Sequence, residues 1–214
     1  MCQRLKFTRP KILLLGGEGV GKTAFAVRYV TKRFIGEYDA SKETLYSHRS
    51  IIDKEDITID IMDISSDEEV VLENHVRWAD GVIILYSITD RGSFTKLDFY
   101  HAVVQYYRRH HDDNEHAYSD NIPMLIVANK MDLCYTGKTI STEESDQLCR
   151  RLNCRKFEIS VADSPDGVSE VVDYLLRNIK RDMQKVASSR RLPFPNVKRV
   201  FKRKVYRSKS DTLQ

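Results

Sequence analysis

The chain has 214 residues, of which 41% are hydrophobic, and its formal net charge at pH 7 is +4. This length and composition fit one domain with a substantial core, followed by a tail. The longest apolar runs, such as residues 82–85, are far shorter than the ~20 residues that span a bilayer, which excludes a transmembrane helix. Residues 1–10 are short and polar, unlike a secretory signal, and the four cysteines lack metal-ligand spacing, so we expect free thiols in a reducing cytosol.

The positive charge is concentrated at one end of the chain. Residues 190–214 contain nine Lys or Arg and one acidic residue, so this tail carries +8. Because the whole chain carries +4, residues 1–189 sum to −4. We therefore expect an N-terminal extension at residues 1–10, a mildly acidic globular domain at 11–189 and a basic, disordered tail at 190–214.

A glycine-rich loop lies between the first predicted strand and helix. Residues 11–15 (KILLL) form a short apolar run that predicts a buried strand, and the apolar positions at residues 25–30 predict a helix. Between them, GGEGVGKT fits the phosphate-loop pattern G-x-x-x-x-G-K-[ST]. In that context backbone N–H groups and the helix N-terminus surround phosphate oxygens, while Lys22 bridges the terminal phosphates and Thr23 ligates Mg²⁺. The residues of this loop that are predicted to bind a nucleotide are Gly16, Gly17, Glu18, Gly19, Val20, Gly21, Lys22 and Thr23.

Beyond this loop the pattern alternates between strand and helix signals. Apolar or alternating runs predict strands at residues 50–53, 57–63, 81–88, 124–128 and 157–161, the first two as a hairpin. Helical spacing predicts helices that begin at Ser93, at a capping box at Ser141 and at Gly167, with a weak helical pattern before Asn74. This order predicts an α/β fold: a doubly wound, mostly parallel six-stranded sheet with helices on both faces. Ligands then bind at the carboxyl ends of the strands.

Two polar stretches are predicted to be loops. Residues 34–46 have no clean period, and residues 110–121 are strongly polar. The second loop contains His110, His111 and His116, for which metal binding is an alternative to a solvated loop, the favoured interpretation.

A second motif, Asn129-Lys130-Met131-Asp132, directly follows the strand predicted at residues 124–128. N-K-x-D is a guanine-reading pattern, in which the Asp132 carboxylate accepts from guanine N1–H and the 2-amino group. Adenine offers neither donor in that arrangement, so ATP would leave a buried carboxylate unpaired. Such a loss costs on the order of 10³-fold in preference. The pair of motifs therefore predicts a guanine nucleotide and argues against a P-loop kinase or ATPase.

Together these motifs resemble the Ras superfamily of small GTPases over about residues 10–187. TKRFIGEYD at residues 31–39 resembles the start of switch I. WADGVIILYSITDRGSF at residues 78–94, and GGEG in the phosphate loop, resemble the branch of Ras-related, estrogen-regulated growth inhibitors. The resemblance implies a Ras-like G domain at residues 11–189 that binds GTP or GDP with Mg²⁺.

The resemblance also implies roles for residues outside the two motifs. Phe34 would lie edge-on to the guanine, and Asp63 would hold Mg²⁺ through water. Ser41 stands where the family has a Mg²⁺-binding Thr, with an ordinary loop serine as the alternative. The last guanine loop of the family, S-A-K, corresponds here to Ser160, Val161 and Ala162. Its lysine is absent, so we expect somewhat looser nucleotide binding.

Three departures from the family pattern bear on catalysis. Ser66 replaces the glycine of D-x-x-G, and its Cβ restricts the turn. Asp67 replaces the glutamine that orients the attacking water. The catalytic candidates are therefore Lys22 and, only weakly, Asp67. Glu18 replaces a glycine and would crowd and repel the γ-phosphate, or else point to solvent with a mild effect. We expect slow GTP hydrolysis, with a nucleotide-bound interaction module of negligible turnover as the alternative.

Partners and location follow from the same comparison. Protein effectors and regulators would contact two segments, one from Phe34 to Tyr46 and one from Asp63 to Asn74. The chain would be a monomer that binds no specific nucleic acid sequence. The tail is either solvated, or attracted to an acidic membrane at ~1 kcal/mol per basic residue, or read by a nuclear-import receptor. No Cys stands four residues from the end, so no prenylation box is present, and we expect a cytoplasmic or nuclear protein.

Overall fold

The computed structural model of the chain describes residues 7–36, 43–109 and 122–189, with the side chains of residues 187–189 excepted. The described residues form six strands: β1 Lys11–Leu15, β2 Thr44–Ile52, β3 Glu55–Asp63, β4 Gly81–Ser87, β5 Met124–Asn129 and β6 Arg155–Glu158. The described α-helices are α1 Lys22–Thr31, α2 Glu69–Trp78, α3 Arg91–Thr95, α4 Leu97–Arg109, α5 Thr142–Arg151 and α6 Pro165–Ser189. A short 3₁₀ turn spans Met131–Leu133.

The six strands form one sheet in the order β2-β3-β1-β4-β5-β6. β2 runs antiparallel to β3, and every other neighbouring pair is parallel. The predicted α/β fold with a mostly parallel six-stranded sheet is therefore confirmed. The chain leaves β1 toward α1 on one face of the sheet and leaves β3 and β4 toward α2 and α4 on the other face. A crevice therefore forms at the carboxyl ends of these central strands.

Helices cover both faces of the sheet, as the strand pattern requires. In β1, Ile12 and Leu14 pack with α1 and α6, whereas Leu13 and Leu15 pack with α2, α4 and α5. All four side chains are at most 1% exposed. Each such burial contributes about 1.5–3 kcal/mol. The loops at the carboxyl edge thus emerge from a firmly packed double layer.

Strand β2 is longer than the sequence pattern indicated. It begins at Thr44 rather than at residue 50, so Tyr46 belongs to the strand and not to the predicted loop. The strand pairs with β3 along its whole length, from Thr44 opposite Asp63 to Ile52 opposite Glu55. β2 is an edge strand whose residues alternate between half-buried and exposed. The period was hidden because His48 and Ser50 are polar at half-buried positions and Leu45 is apolar at an exposed one.

Other boundaries also differ from those predicted. β6 covers Arg155–Glu158 instead of residues 157–161, which leaves residues 159–162 free to form a loop. The helix expected from Ser93 is divided at Lys96 into α3 and α4, and its cap is Asp90, whose carboxylate accepts from the Gly92 N–H at 2.9 Å. Ser93 instead ties α3 to the end of β4, because its hydroxyl accepts from the Ser87 N–H at 3.1 Å.

The cap predicted at Ser141 is confirmed: its hydroxyl accepts from the Glu144 N–H at 3.1 Å. The last helix, α6, has 25 residues and starts two residues before the predicted Gly167. Its apolar stripe lies so close to β4 that a Cβ at Gly81 would be 2.7 Å from Ile179 Cδ1. Lys180, one residue further, forms an ion pair with Glu55 at 3.0 Å. Among the described helices none has both the length and the apolar composition that a membrane span needs.

Candidate nucleotide-binding site

The glycine loop joins β1 to α1 through backbone conformations that side chains resist. Gly16, Gly19 and Gly21 have positive φ angles of 144°, 70° and 101°. A Cβ at Gly16 would lie 2.3 Å from the Leu85 carbonyl oxygen of β4. The loop is therefore pressed against the sheet at Gly16, where there is no room for a side chain. The Phe25 N–H donates to the Gly21 carbonyl at 2.9 Å, which places the N-terminus of α1 directly behind the loop.

The Lys22 side chain lies across this loop. Its ammonium donates to the carbonyl oxygens of Gly16 at 2.8 Å and Gly17 at 3.1 Å. Burial lowers the pKa of Lys22, and the carboxylates of Asp63 and Asp67 oppose that effect. A partly desolvated cation fixed by backbone oxygens suits a ligand with concentrated negative charge.

Thr23 and Asp63 meet beside the loop. The Thr23 hydroxyl donates to Asp63 Oδ2 at 2.6 Å, and Asp63 is 3% exposed at the end of β3. Burial raises the pKa of the Asp63 carboxyl, while the Thr23 hydrogen bond and Lys22 counteract it. Two adjacent oxygen donors, one ionisable, fit the oxygen preference of Mg²⁺. Within the part of the chain that the structure describes, no cluster of three His, Cys, Asp or Glu side chains offers another metal site.

Asn129 connects three loops at the carboxyl edge of the sheet. Its Nδ2 donates to the Val20 carbonyl at 2.8 Å, and its Oδ1 accepts from the Val161 N–H at 3.1 Å. The side chain is 3% exposed, and a Cβ at Gly21 would lie 2.5 Å from its Nδ2. The amide thus locks the phosphate loop, the N-K-M-D loop and the loop after β6 into one unit.

The other residues of the N-K-M-D motif surround an open carboxylate. Lys130 has a positive φ of 69°, which turns the chain sharply after β5. Asp132 is exposed, and its Oδ1 accepts from the Ser160 hydroxyl at 2.7 Å. The same hydroxyl accepts from the Asp163 N–H at 3.1 Å. Ser160 therefore fixes the orientation of Asp132 and leaves its second oxygen available to a ligand.

Arg28 also supports the loop after β6, a role that the motif-based interpretation missed. It lies in α1, is 8% exposed, and donates from its guanidinium to the carbonyls of Asp163 at 3.0 Å and Ala162 at 3.5 Å. The available signal was an arginine inside the otherwise apolar helical stretch FAVRYV. These hydrogen bonds reduce the free-energy cost of burying the charged guanidinium.

Asp67 is held by the helical layer next to the loop. Its carboxylate accepts from Lys96 Nζ at 3.0 Å and from the Tyr100 hydroxyl at 2.8 Å. Neither partner was anticipated from the sequence. Ser66 has a negative φ, so the backbone here does not require glycine, and its hydroxyl accepts from the Glu68 N–H at 3.1 Å.

The remaining predicted site residues lie at the periphery. Glu18 is exposed at the tip of the glycine loop, and its charge acts favourably on Lys22. Phe34 is 46% exposed, three residues after the end of α1. Ser41 lies outside the described residues, as do the three histidines of residues 110–121 and the basic tail. The structure therefore gathers residues 16–23, Asp63, residues 129–132 and residues 160–162 at one edge of the sheet.

This fold and this edge define a P-loop nucleotide-binding protein with a guanine-type base loop. A sequence model of the Ras family matches residues 11–181. The Ras-related and estrogen-regulated growth inhibitors of Bos taurus and Homo sapiens are each 33% identical over 187 residues, covering 87% of this chain and 89% of theirs. Ras-like protein family member 11B of Xenopus laevis is 36% identical over 191 residues, covering 85% of this chain and 72% of its own. The chain belongs to the Ras family, and that membership implies a guanine-nucleotide-binding signalling protein.

Proposed function

We propose that this chain is a Mg²⁺-dependent guanine-nucleotide switch that hydrolyses GTP slowly. The observation that carries the proposal is the buried Asn129 amide, whose two hydrogen bonds join the phosphate loop to both base-reading loops. A site that binds phosphate and base independently has no need of such a connection. Here the two halves of a nucleotide would be recognised by one rigid unit.

The phosphates would be bound by the loop amides of residues 16–21 and by Lys22. Mg²⁺ would be held by the Thr23 hydroxyl and, through water, by Asp63. The Thr23 hydroxyl oxygen and Asp63 Oδ2 lie 2.6 Å apart. When bound, the ion neutralises charge on the β- and γ-phosphates. Asp63 and Thr23 contribute by remaining fixed at the ends of β3 and the loop. Ser41 remains a candidate third ligand.

The base would be read by Asp132. Ser160 donates to one carboxylate oxygen, which orients the group toward the guanine N1–H and 2-amino donors. Val161 and Ala162 would contribute backbone contacts from the loop that Arg28 supports. Replacing the carboxylate by an amide exchanges one acceptor for a donor, which opposes the 2-amino group of guanine and pairs with the 2-oxo group of xanthine. Asp132→Asn should therefore shift preference from GTP toward xanthosine triphosphate, measured as the ratio of the two dissociation constants; an unchanged ratio would refute the base assignment.

Hydrolysis would proceed by in-line attack of water, with little help from Asp67. Its carboxylate lacks the amide donor of a glutamine, and both of its oxygens are engaged by Lys96 and Tyr100. Preorganised donors at the developing charge supply much of the rate in such reactions. The missing glutamine amide therefore supports a low intrinsic rate of GTP hydrolysis.

Phosphate release over a single turnover tests the enzymatic half of this proposal. The full chain is loaded with GTP and Mg²⁺, and release is compared with protein-free GTP. We expect a slow rate above background, increased at least several-fold when Asp67→Gln is combined with Ser66→Gly. Glu68→Gln, an exposed neighbour, is the matched control and should leave the rate unchanged. A wild-type rate equal to background would reject the enzyme while leaving nucleotide binding intact.

That outcome would support the second candidate, a nucleotide-bound interaction module without useful turnover. The double hydrogen bonding of Asp67 favours it, because a carboxylate fixed in this way is poorly placed to orient water. Tight GTP binding together with background hydrolysis distinguishes it from the slow enzyme.

We further propose a monomer that contacts effectors and regulators through residues 34–46 and 63–74. Residues 37–42 of the first segment lie outside the described residues. The tail at 190–214 also lies outside them, so its contact with an acidic membrane or an import receptor rests on its charge alone. We propose a cytoplasmic or nuclear location. Imaging of the full chain with and without residues 190–214 would test what the tail contributes.

A further inference from the structure

Asp67 is bound by two residues that have no part in the motifs of the site. Lys96 lies between α3 and α4, and its ammonium forms an ion pair with Asp67 Oδ2 at 3.0 Å. Tyr100 lies one turn into α4, is fully buried, and donates its hydroxyl to Oδ1 at 2.8 Å. The two contacts engage both oxygens, so they fix the position and the orientation of the carboxylate.

The Asp67–Lys96 pair lies within electrostatic reach of Lys22. Asp67 follows Asp63 by only four residues, and the Asp63 carboxylate accepts from the hydroxyl of Thr23, the residue next to Lys22. At the Lys22 ammonium, the charge of Asp67 is favourable and the charge of Lys96 is unfavourable. Both members of the pair therefore act on the cation that would hold the terminal phosphates. Glu18 and Asp63 add two further negative charges around the same ammonium.

An unpaired carboxylate in this position would oppose a nucleoside triphosphate. The γ-phosphate brings further negative charge to a site that already holds three acidic side chains. A unit charge at about 10 Å, in the effective dielectric of ~20 of a protein surface, changes an equilibrium on the order of tenfold. Lys96 offsets one of these charges, and the diphosphate, which lacks the γ-phosphate, would gain less from that compensation.

We propose that Lys96 and Tyr100 are positioning residues that neutralise and anchor Asp67, and that they thereby set the preference of the site for the nucleoside triphosphate over the diphosphate. The inference rests on the proposed guanine-nucleotide binding. Lys96 supplies the compensating charge, and Tyr100 supplies a fixed direction from the core. These two contacts hold Asp67, and with it the backbone after Ser66, against α4. The acidic side chain is tolerated near the phosphate loop because Lys96 neutralises it.

The test is a thermodynamic cycle on binding, which does not depend on hydrolysis. Dissociation constants for a non-hydrolysable GTP analogue and for GDP are measured with Mg²⁺ for wild type, Lys96→Gln, Asp67→Asn and the double variant. We expect Lys96→Gln to weaken the triphosphate about tenfold and GDP less than twofold. The double variant should recover the wild-type ratio, because removing the acid removes the need for the base.

Two further variants separate charge from folding. Lys96→Arg keeps the charge and should retain the wild-type ratio. Arg151→Gln breaks a comparably exposed ion pair with Asp98 away from the site and should leave both affinities unchanged. Equal losses for both nucleotides, no loss, or no recovery in the double variant would overturn the proposal. If wild-type protein bound neither nucleotide, the proposed function itself would fail, which is a distinct result.

Discussion

Replacing Asn129 by alanine should destabilise the whole carboxyl edge of the sheet. The amide is 3% exposed and supplies one donor to Val20 and one acceptor to Val161. Alanine supplies neither, and the space left is lined by backbone that the neighbouring strands hold in place. Water enters such a site only where it finds several polar partners. The Val20 carbonyl and the Val161 N–H would therefore lose their partners inside the protein.

The size of the effect follows from those two groups. Each unsatisfied buried polar group costs about 1–3 kcal/mol. We therefore expect the free energy of unfolding to fall by about 2–5 kcal/mol after partial relaxation. In a domain of this size, each kcal/mol lowers Tm by about 2–4 °C, so Tm should fall by roughly 4–20 °C.

Urea unfolding followed by far-UV circular dichroism measures this loss. Nucleotide and Mg²⁺ are held at one concentration throughout, because bound ligand adds to apparent stability. The matched control is Asn178→Ala in α6, where the side chain is partly exposed and its oxygen accepts from Arg181. We expect that variant to stay within about 0.5 kcal/mol of wild type. An Asn129→Ala protein as stable as this control would show that the amide does not join the three loops energetically.

Three other perturbations test separate parts of the structure. Gly21→Ala should lower the free energy of unfolding about 1–3 kcal/mol more than Gly19→Ala: both glycines have positive φ, but only a Cβ at Gly21 would lie 2.5 Å from the Asn129 amide. Equal losses in denaturation would mean that the amide moves aside. Arg28→Met should speed GDP release about tenfold in a chase with excess unlabelled nucleotide, because the loop at residues 162–163 loses its charged donor; an unchanged rate contradicts that role. Asp60 in β3 is the third position. Burial acts to raise the pKa of its carboxyl, but hydrogen bonds from Arg9 and Ser47 outweigh that effect and hold the pKa below its ordinary value. Its contribution to stability is therefore present at neutral pH and lost as the pH falls through the folded-state pKa. The stability difference between wild type and Asp60→Asn should be largest at pH 7 and shrink below about pH 4 in urea titrations, and a difference independent of pH would argue against it.

Local patterns were sufficient for the central strands and for the glycine loop. β1 and β4 are buried on both faces, so they appear as continuous apolar runs. The loop at residues 16–23 is specified by three glycines with positive φ, and at two of them, Gly16 and Gly21, a Cβ would come within 2.5 Å of another atom. In each case the constraint acts within a few residues, which is why the sequence alone predicted the fold correctly.

Features that depend on distant partners were not predictable in this way. β2 is defined by its pairing with β3, and a half-exposed edge strand tolerates polar residues that erase the period. Asp67 is separated by 29 residues from Lys96 and by 33 from Tyr100, and no local pattern joins them. The same holds for Arg28, whose acceptors lie more than 130 residues away. Tertiary contacts of this kind require the packed structure.

Helix α6 runs from the nucleotide-site edge of the sheet to the opposite edge. It starts beside the loop that Arg28 supports and, at 1.5 Å per residue, its 25 residues extend about 37 Å. By Ile179 and Lys180 it has already reached the first residues of β4 and β3, at the opposite edge of the sheet. Ser189, the last described residue, therefore lies at the end of the molecule that faces away from the proposed nucleotide site. A surface that bound that end of α6 would leave the loops at residues 16–23 and 129–132 facing outward, so that contact and the proposed nucleotide exchange would not compete for space.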